Sequence, residues 1–190
     1  GTSGSPSVYG SSVTFTATVL PATATGTVTF YDGVTVLGTG TLASGTATFS
    51  TSTLNVSGSP HSITASYAGS GIYGSSTSLA ISQTVNPATL TYTADAVSRS
   101  YGTANPAFTG TITGFIAPDT QASATTGTLA FTSTATIASN AGSYPITGSG
   151  LTANNGNYTF VQAAGNATAL TITPATPTAS ITNSPVTYNG

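Results

Sequence analysis

The chain has 190 residues, with one Arg, no Lys, three Asp, one His, and no Cys, Met or Trp. About a quarter of the residues of an ordinary soluble domain are charged, so a chain that is 2% charged lacks the cations that bind nucleic acids or anionic membranes. The same scarcity leaves almost no groups for acid–base or metal chemistry, and we predict that the chain is not an enzyme and carries no cofactor.

In the first half of the chain, apolar residues alternate with Thr and Ser, which is the pattern of half-buried β-strands. The apolar positions are Val13, Phe15, Ala17 and Val19, then Val28 and Phe30, then Ile63, Ala65 and Tyr67. Turns are predicted at the glycine-containing strings Tyr31-Asp32-Gly33 and Ala43-Ser44-Gly45.

The second half repeats the pattern, again with β-branched and aromatic residues on one side and Thr on the other. The apolar positions are Leu90, Tyr92 and Ala94, then Leu129 and Phe131, then Tyr158 and Phe160, then Leu170 and Ile172. A turn is predicted at Ala153-Asn154-Asn155-Gly156. Because no segment shows a helical stripe, we predict an all-β fold.

Two short strings recur with one period. A Tyr-Gly or Tyr-Asn-Gly string lies at Tyr9, Tyr101 and Tyr188, so the tyrosines are 92 and then 87 residues apart. A Pro-Ala-Thr string recurs at Pro87 and Pro174, again 87 residues apart. A module of about 90 residues is the size of a β-sandwich.

The period predicts two tandem immunoglobulin-like antiparallel β-sandwiches followed by the first strand of a third unit. The predicted domains are residues 1–86, residues 87–175, and a linker with the start of a third module at 176–190.

The first module resembles the bacterial Ig-like repeat family over about residues 8–85. The matching strings run from Thr25 to Gly33, over Leu37-Gly38, and from His61 to Gly69. The family often has Gly-Asp where this chain has Gly69-Ser70.

The second module, about residues 88–174, resembles the MBG domain, another immunoglobulin-like module of large bacterial surface proteins. The matching strings are Ser100-Tyr101-Gly102, Asn105-Pro106, Thr113-Gly114-Phe115, Asp119, Ala141 to Ile146, and Asn157-Tyr158.

These resemblances imply a non-enzymatic structural repeat segment of a large extracellular or cell-surface protein, acting as a stalk, adhesin or fibre. The implied partners are neighbouring modules of the same protein or identical chains, with no nucleic acid and no membrane. One alternative is a filament subunit that donates Ser180 to Gly190, with its apolar Ile181, Val186 and Tyr188, as a β-strand to a neighbour. Another is a carbohydrate-binding adhesin module that uses surface aromatics such as Tyr73 or Tyr158.

Three sequons make Asn55, Asn157 and Asn166 candidate glycan acceptors. No metal site is predicted: we expect His61 to be structural, and Asp32 to bond its own turn.

Arg99 is expected to pair with Asp95 or to stack on an aromatic ring. An isopeptide cross-link is impossible without lysine, whereas a Thr–Gln ester remains open through Gln83, Gln121 or Gln162.

Overall fold

The computed structural model describes residues 1–182 and residue 188. These residues form seventeen β-strands, one four-residue α-helix and three short 3₁₀ helices. The strands of the first half are β1 (Ser7–Val8), β2 (Val13–Thr18), β3 (Thr27–Asp32), β4 (Thr35–Thr41), β5 (Thr46–Thr51), β6 (His61–Tyr67), β7 (Ser76–Thr77), β8 (Ile81–Gln83) and β9 (Val85–Asn86). Those of the second half are β10 (Ala88–Ala94), β11 (Val97–Ser100), β12 (Gly110–Thr113), β13 (Thr125–Thr132), β14 (Gly142–Tyr144), β15 (Thr147–Ala153), β16 (Tyr158–Gln162) and β17 (Leu170–Thr173). The helices are α1 (Gln121–Ala124) and the 3₁₀ turns Val56–Gly58, Asn154–Gly156 and Ala164–Thr168.

The predicted all-β class is confirmed, with several sheets that fit immunoglobulin-like sandwiches. The strand predicted at the start of a third unit is not found in residues 174–182. The rest of that segment, residues 183–187, 189 and 190, lies outside the described residues.

The chain divides into two compact units. Unit 1 comprises residues 1–92, 112–129 and 150–161, and unit 2 comprises residues 93–111, 130–149 and 162–190. Unit 1 therefore includes the whole predicted first module together with three segments of the second, residues 87–92, 112–129 and 150–161. The module limits at residues 86 and 175 stay predictions.

The sandwich of the first half lies within unit 1. One sheet pairs β2 with β5, and the other has the order β4-β3-β6-β7 with β8 also paired to β6. The apolar face of each strand points between the two sheets, where Phe15, Val28, Phe30 and Ile63 are at most 2% exposed. The Phe30 ring lies 6.0 Å from the Phe49 ring, so aromatic side chains from both sheets meet in this core.

The β4–β5 side of this sandwich is closely packed. A Cβ added at Gly40 of β4 would lie 2.4 Å from the Thr48 carbonyl oxygen of β5. The predicted turn between these two strands is confirmed, since Ser44 and Gly45 both have positive φ and Ala43 and Thr46 exchange backbone hydrogen bonds. Positive φ at both central residues is the mark of a type I′ hairpin turn.

Each half of the chain also contains a parallel strand pair. In unit 1, β1 pairs with β9 and Val8 lies opposite Asn86. In unit 2, β11 pairs with β17, Ser100 lies opposite Thr173, and β14 pairs antiparallel on the other side of β17. The strand order β12-β10-β16 and the pair β13-β15 complete the second half.

Candidate functional site

Two tyrosines share one carboxylate inside unit 1. The Tyr158 hydroxyl donates to Asp119 Oδ2 at 2.7 Å, and the Tyr9 hydroxyl donates to the same oxygen at 3.1 Å. The two rings meet edge to face, with centroids 5.4 Å apart. We call Tyr9, Asp119 and Tyr158 the joint, because Tyr9 comes from the first half of the sequence and the other two from the second.

Local backbone structure places each member of the joint. Tyr9 follows β1 and donates its N–H to the carbonyl of Asn86 at 2.8 Å, beside the end of β9. Gly10 then turns the chain with a φ of +82°, and Ser11 closes the turn onto the Val8 carbonyl. Gly10 is the third residue of this four-residue turn, where a type II turn requires a positive φ, and glycine adopts a positive φ without strain.

The second half supplies the acceptor from a loop and the second donor from a strand. Asp119 closes its own turn by donating its N–H to the Ile116 carbonyl at 2.8 Å. Tyr158 begins β16, and its hydroxyl also accepts from the Ile116 N–H at 3.1 Å. One loop therefore presents both an acceptor and a donor to the Tyr158 hydroxyl.

Burial beside a carboxylate holds both phenols in their neutral form. Desolvation raises the pKa of Tyr158 to about 12, and the hydrogen bond to Asp119 acts in the same direction. Burial, followed by the hydrogen bond to Asp119, also raises the pKa of Tyr9. An ionised carboxylate can only accept, so both hydroxyls must keep their protons to donate to it.

Apolar contacts surround the joint. Phe115 packs edge to face on Tyr158 with centroids 5.8 Å apart. A Cβ added at Gly10 would lie 2.5 Å from Ile116 Cγ2, so the glycine also allows the Ile116 side chain to lie directly against the turn. The apolar cluster of Ala88, Leu90, Ala124 and Tyr158 packs against Tyr9.

A second set of contacts lies in the same unit. Asn157 donates through Nδ2 to Asn55 Oδ1 at 2.8 Å, and its Oδ1 accepts from the Val56 N–H at 2.9 Å. Asn157 is 6% exposed, so both ends of its amide are engaged in a buried position. These bonds and the joint connect the first half of the chain to the same segments of the second half.

The three sequon asparagines differ in accessibility. Asn55 is exposed, whereas Asn157 and Asn166 are only 6% and 3% exposed. The Asn166 amide accepts from the Ala94 N–H and donates to Gln162 Oε1, both at 2.8 Å. A glycan on Asn157 or Asn166 would have to be attached to a side-chain amide that is buried and hydrogen-bonded in the folded protein. Glycosylation at each of the three positions stays a prediction.

The single histidine has a structural environment. His61 is 5% exposed, its Nδ1 lies 2.6 Å from Asp32 Oδ2, and its Nε2 lies 2.8 Å from the Asn55 carbonyl oxygen. Both ring nitrogens therefore lie within hydrogen-bond distance of an oxygen inside unit 1. Asp32 does not bond its own turn as predicted: it ends β3, and its other oxygen accepts from the Ser62 N–H of β6.

The single arginine is buried without a carboxylate partner among the described residues. Arg99 is 7% exposed, and it donates to Asn105 Oδ1 at 2.6 Å and to the backbone carbonyls of Ser100 and Thr136. The predicted pair with Asp95 is wrong, because Asp95 is exposed and accepts from the Thr109 hydroxyl. Neutral oxygens thus surround the guanidinium.

Gln83 is the most buried of the three glutamines considered for an ester. Its Oε1 accepts from the Thr2 hydroxyl at 2.6 Å, and its Nε2 donates to three oxygens, those of Gly4, Ser7 and Thr84. The amide is 0% exposed and fully hydrogen-bonded, which fixes the first residues of the chain to the end of β8.

Catalytic and sugar-binding groups are scarce in the described part of the chain. No group of three or more His, Cys, Asp and Glu residues lies close enough to hold a metal ion there. Tyr158 is 4% exposed, so it is not the surface aromatic that the carbohydrate hypothesis requires. Tyr73 is half-buried, and its hydroxyl bonds that of Thr23. No helix in the described residues is long and apolar enough to cross a membrane.

Sequence reasoning did not identify the joint. The recurring Tyr-Gly string was a signal that Tyr9 matters, but nothing in the sequence linked it to an aspartate 110 residues away. The sequence places Tyr158 on a strand and makes it a candidate surface aromatic, and it predicts no partner for the Tyr158 hydroxyl.

Comparison with known proteins agrees with the fold. Residues 1–86 match the bacterial Ig-like domain (group 3), and residues 90–168 match the MBG domain (YGX type). No curated protein and no solved structure matches the chain. Both families are structural modules and not enzyme families, and they are typical of repeats in bacterial surface proteins. The chain is thus a bacterial Ig-like domain followed by an MBG domain.

Proposed function

We propose that the chain is a non-enzymatic spacer segment of a large extracellular or cell-surface bacterial protein, in which tied modules hold a neighbouring part of that protein at a fixed distance. The joint is the observation that carries this proposal. A spacer transmits position only if its modules do not pivot freely, and the half-buried carboxylate of Asp119, shared by two tyrosines, restrains pivoting.

The chemistry of the chain supports the same role. The chain is rich in Ser, Thr and Gly, with no lysine for tryptic proteases and no Cys, Met or Trp to oxidise readily. The side chains of His61, Asp32 and Arg99 are all engaged in internal hydrogen bonds. None of them is left to bind a substrate.

Surface labelling of intact cells tests the proposal. Antibodies raised against the 190-residue chain are expected to label intact cells of the source bacterium, and external protease is expected to remove the label. Cells lysed before labelling provide the control for total antigen. Label that appears only after lysis contradicts the proposal.

A second candidate function, a filament subunit that donates a strand, is favoured by one feature of the first sandwich. A groove of about 450 Å³ opens beside β2. It is lined by Phe15, Ala17, Val19, Ile63, Tyr67, Leu79 and Ile81, among others. The Val19 N–H donates to the Gly45 carbonyl on the β5 side of β2, and the Thr16 N–H donates to the Gly1 carbonyl on the opposite side. Because backbone N–H groups alternate in direction along a strand, the backbone of Thr18 points away from β5 and faces the groove. Ile181 is 93% exposed and lies in a segment without strand pairing.

Truncation at Pro177 and a matched substitution pair test strand donation. Successive residues of a docked strand face opposite sides, so Ile181→Asp and Ser180→Asp should differ in their effect on filament formation. Filaments that persist after truncation, or that respond equally to both substitutions, exclude this candidate.

A further inference from the structure

The Tyr9–Gly10 turn has a structural duplicate in unit 2. Tyr101 follows β11 as Tyr9 follows β1, and each donates its N–H to the last residue of the parallel partner strand at 2.8 Å, Tyr9 to Asn86 and Tyr101 to Thr173. In both halves a proline follows that acceptor, Pro87 in one case and Pro174 in the other.

The turns themselves have the same conformation. Gly10 has a φ of +82° and Gly102 a φ of +79°. The residue after each glycine closes the turn: Ser11 donates to the Val8 carbonyl at 2.9 Å, and Thr103 donates to the Ser100 carbonyl at 3.2 Å. Strand pairing, backbone bonds and turn geometry therefore make Tyr101–Gly102 equivalent to Tyr9–Gly10.

The two turns differ in what covers them. A Cβ at Gly10 would collide with Ile116, whereas a Cβ at Gly102 meets nothing within 4 Å. The Tyr9 ring is half-buried beside Tyr158, whereas Tyr101 is 46% exposed and its hydroxyl has no hydrogen bond within the described residues.

We propose that the Tyr101–Gly102 turn is a docking element for the β-sandwich module that follows it, and that this module presents a loop with an apolar residue and a carboxylate, as Ile116 and Asp119 do at the Tyr9–Gly10 turn. This inference rests on the proposed spacer function, because it extends the same joint to the next repeat. It also gives the recurring Tyr-Gly string a role: the tyrosine supplies the hydroxyl donor, and the glycine allows close approach of the next module's loop.

Several features of the chain identify the occupant as a copy of the second module. The covered turn at Tyr9 is occupied by residues of that module, which fixes the chemistry that fits. The chain leaves β17, whose last residue Thr173 is bonded to Tyr101, through the same Pro-Ala-Thr string that leads into the second module at Pro87. A carboxylate is also the acceptor that best suits a phenol donor at a partly buried site.

An extended chain tests the inference directly. Residues 1–174 are followed by residues 88–190, so that an added copy of the second module enters after Pro174 as the first enters after Pro87. In this chain Tyr101→Phe, made only in the original copy, should lower Tm by about 2–4 °C, the shift expected for one hydrogen bond. In the 190-residue chain the same substitution should leave Tm unchanged within about 1 °C, because the hydroxyl has no partner to lose.

Two reference variants make the outcome decisive. Tyr9→Phe should lower Tm in both chains, and Asp119→Ala in the added copy alone should greatly reduce the effect of Tyr101→Phe. If Tyr101→Phe has no effect in the extended chain while Tyr9→Phe retains its effect, the inference is wrong. An added copy that does not fold after Pro174 also overturns it. Neither outcome bears on whether the protein is displayed on the cell, which surface labelling tests separately.

Discussion

Replacing the shared carboxylate of the joint is the most informative perturbation of the molecule. Asp119→Ala removes the acceptor from two tyrosine hydroxyls at once. The Tyr158 hydroxyl belongs to a residue that is 4% exposed, so water cannot fully replace the lost oxygen. The Tyr9 hydroxyl belongs to a half-buried residue and can recover part of its bonding from water.

The expected loss follows from these two environments. A hydrogen bond to a charged group contributes about 1.5–3 kcal/mol. The bond from Tyr158 should contribute most of this energy and the bond from Tyr9 a small part of it. We therefore expect Asp119→Ala to lower the free energy of unfolding by about 2–3 kcal/mol. That loss corresponds to a decrease in Tm of about 4–12 °C for a chain of this size.

Denaturant unfolding followed by tyrosine fluorescence measures this loss. Asp95→Ala is the matched control, because Asp95 is an exposed aspartate that accepts a single bond from Thr109, and its replacement should cost less than about 0.5 kcal/mol. The double variant Tyr158→Phe, Asp119→Ala should lose much less unfolding free energy than the sum of the two single variants. Each single change already removes the same hydrogen bond between Tyr158 and Asp119. An Asp119→Ala loss equal to that of Asp95→Ala, or strict additivity with Tyr158→Phe, would refute the assignment of the joint.

Three further predictions follow from named contacts. The raised pKa of Tyr158, about 12, means that the folded state holds its proton more tightly than the unfolded chain, so stability is complete below pH 10 and should fall by about 2 kcal/mol as the pH rises to 12. Tyrosinate absorbance is unobscured by tryptophan in this chain and should show the late ionisation, which Tyr158→Phe should remove; simultaneous ionisation of all tyrosines in the folded protein contradicts it. Gly40→Ala should destabilise the first sandwich by more than about 2 kcal/mol in thermal unfolding, because its Cβ would lie 2.4 Å from a backbone oxygen, whereas Gly165→Ala, which meets nothing within 4 Å, should change stability little; equal effects count against the packing of β4 on β5. The intact mass should equal the mass of the sequence, because the Gln83 amide is engaged in four hydrogen bonds as an amide, and a loss of one ammonia would show an ester with Thr2 instead.

Local patterns in the sequence predicted strands and turns because each depends on neighbouring residues. The alternation at Val13 and Phe15 gave β2, and the Ser-Gly pair at 44 and 45 gave the hairpin turn. The sequence shows the Tyr-Gly strings only as repeat markers, and the structure shows that they are also turns, whose glycines have a positive φ.

Contacts between distant residues could not be predicted in the same way. Asp32 was expected to bond its own turn, but its carboxylate reaches His61, 29 residues away, because β3 and β6 are neighbours in the sheet. The sequence predicts that Arg99 pairs with Asp95 or stacks on an aromatic ring, but Asn105 and two backbone carbonyls accept its hydrogen bonds instead. Polar side chains were assigned to outward strand faces, and so the buried Gln83 and the joint were missed.

Residual dipolar couplings of the isotope-labelled 190-residue chain test the central claim most directly, because they report whether two segments share one orientation. If the joint holds the first sandwich against the segments 112–129 and 150–161 of unit 1, one alignment tensor should fit the amides of residues 13–83 together with those of both segments. In Asp119→Ala the two sets should begin to separate. Two different tensors in the unaltered chain would contradict the account, because the modules would then pivot independently and could not act as a spacer.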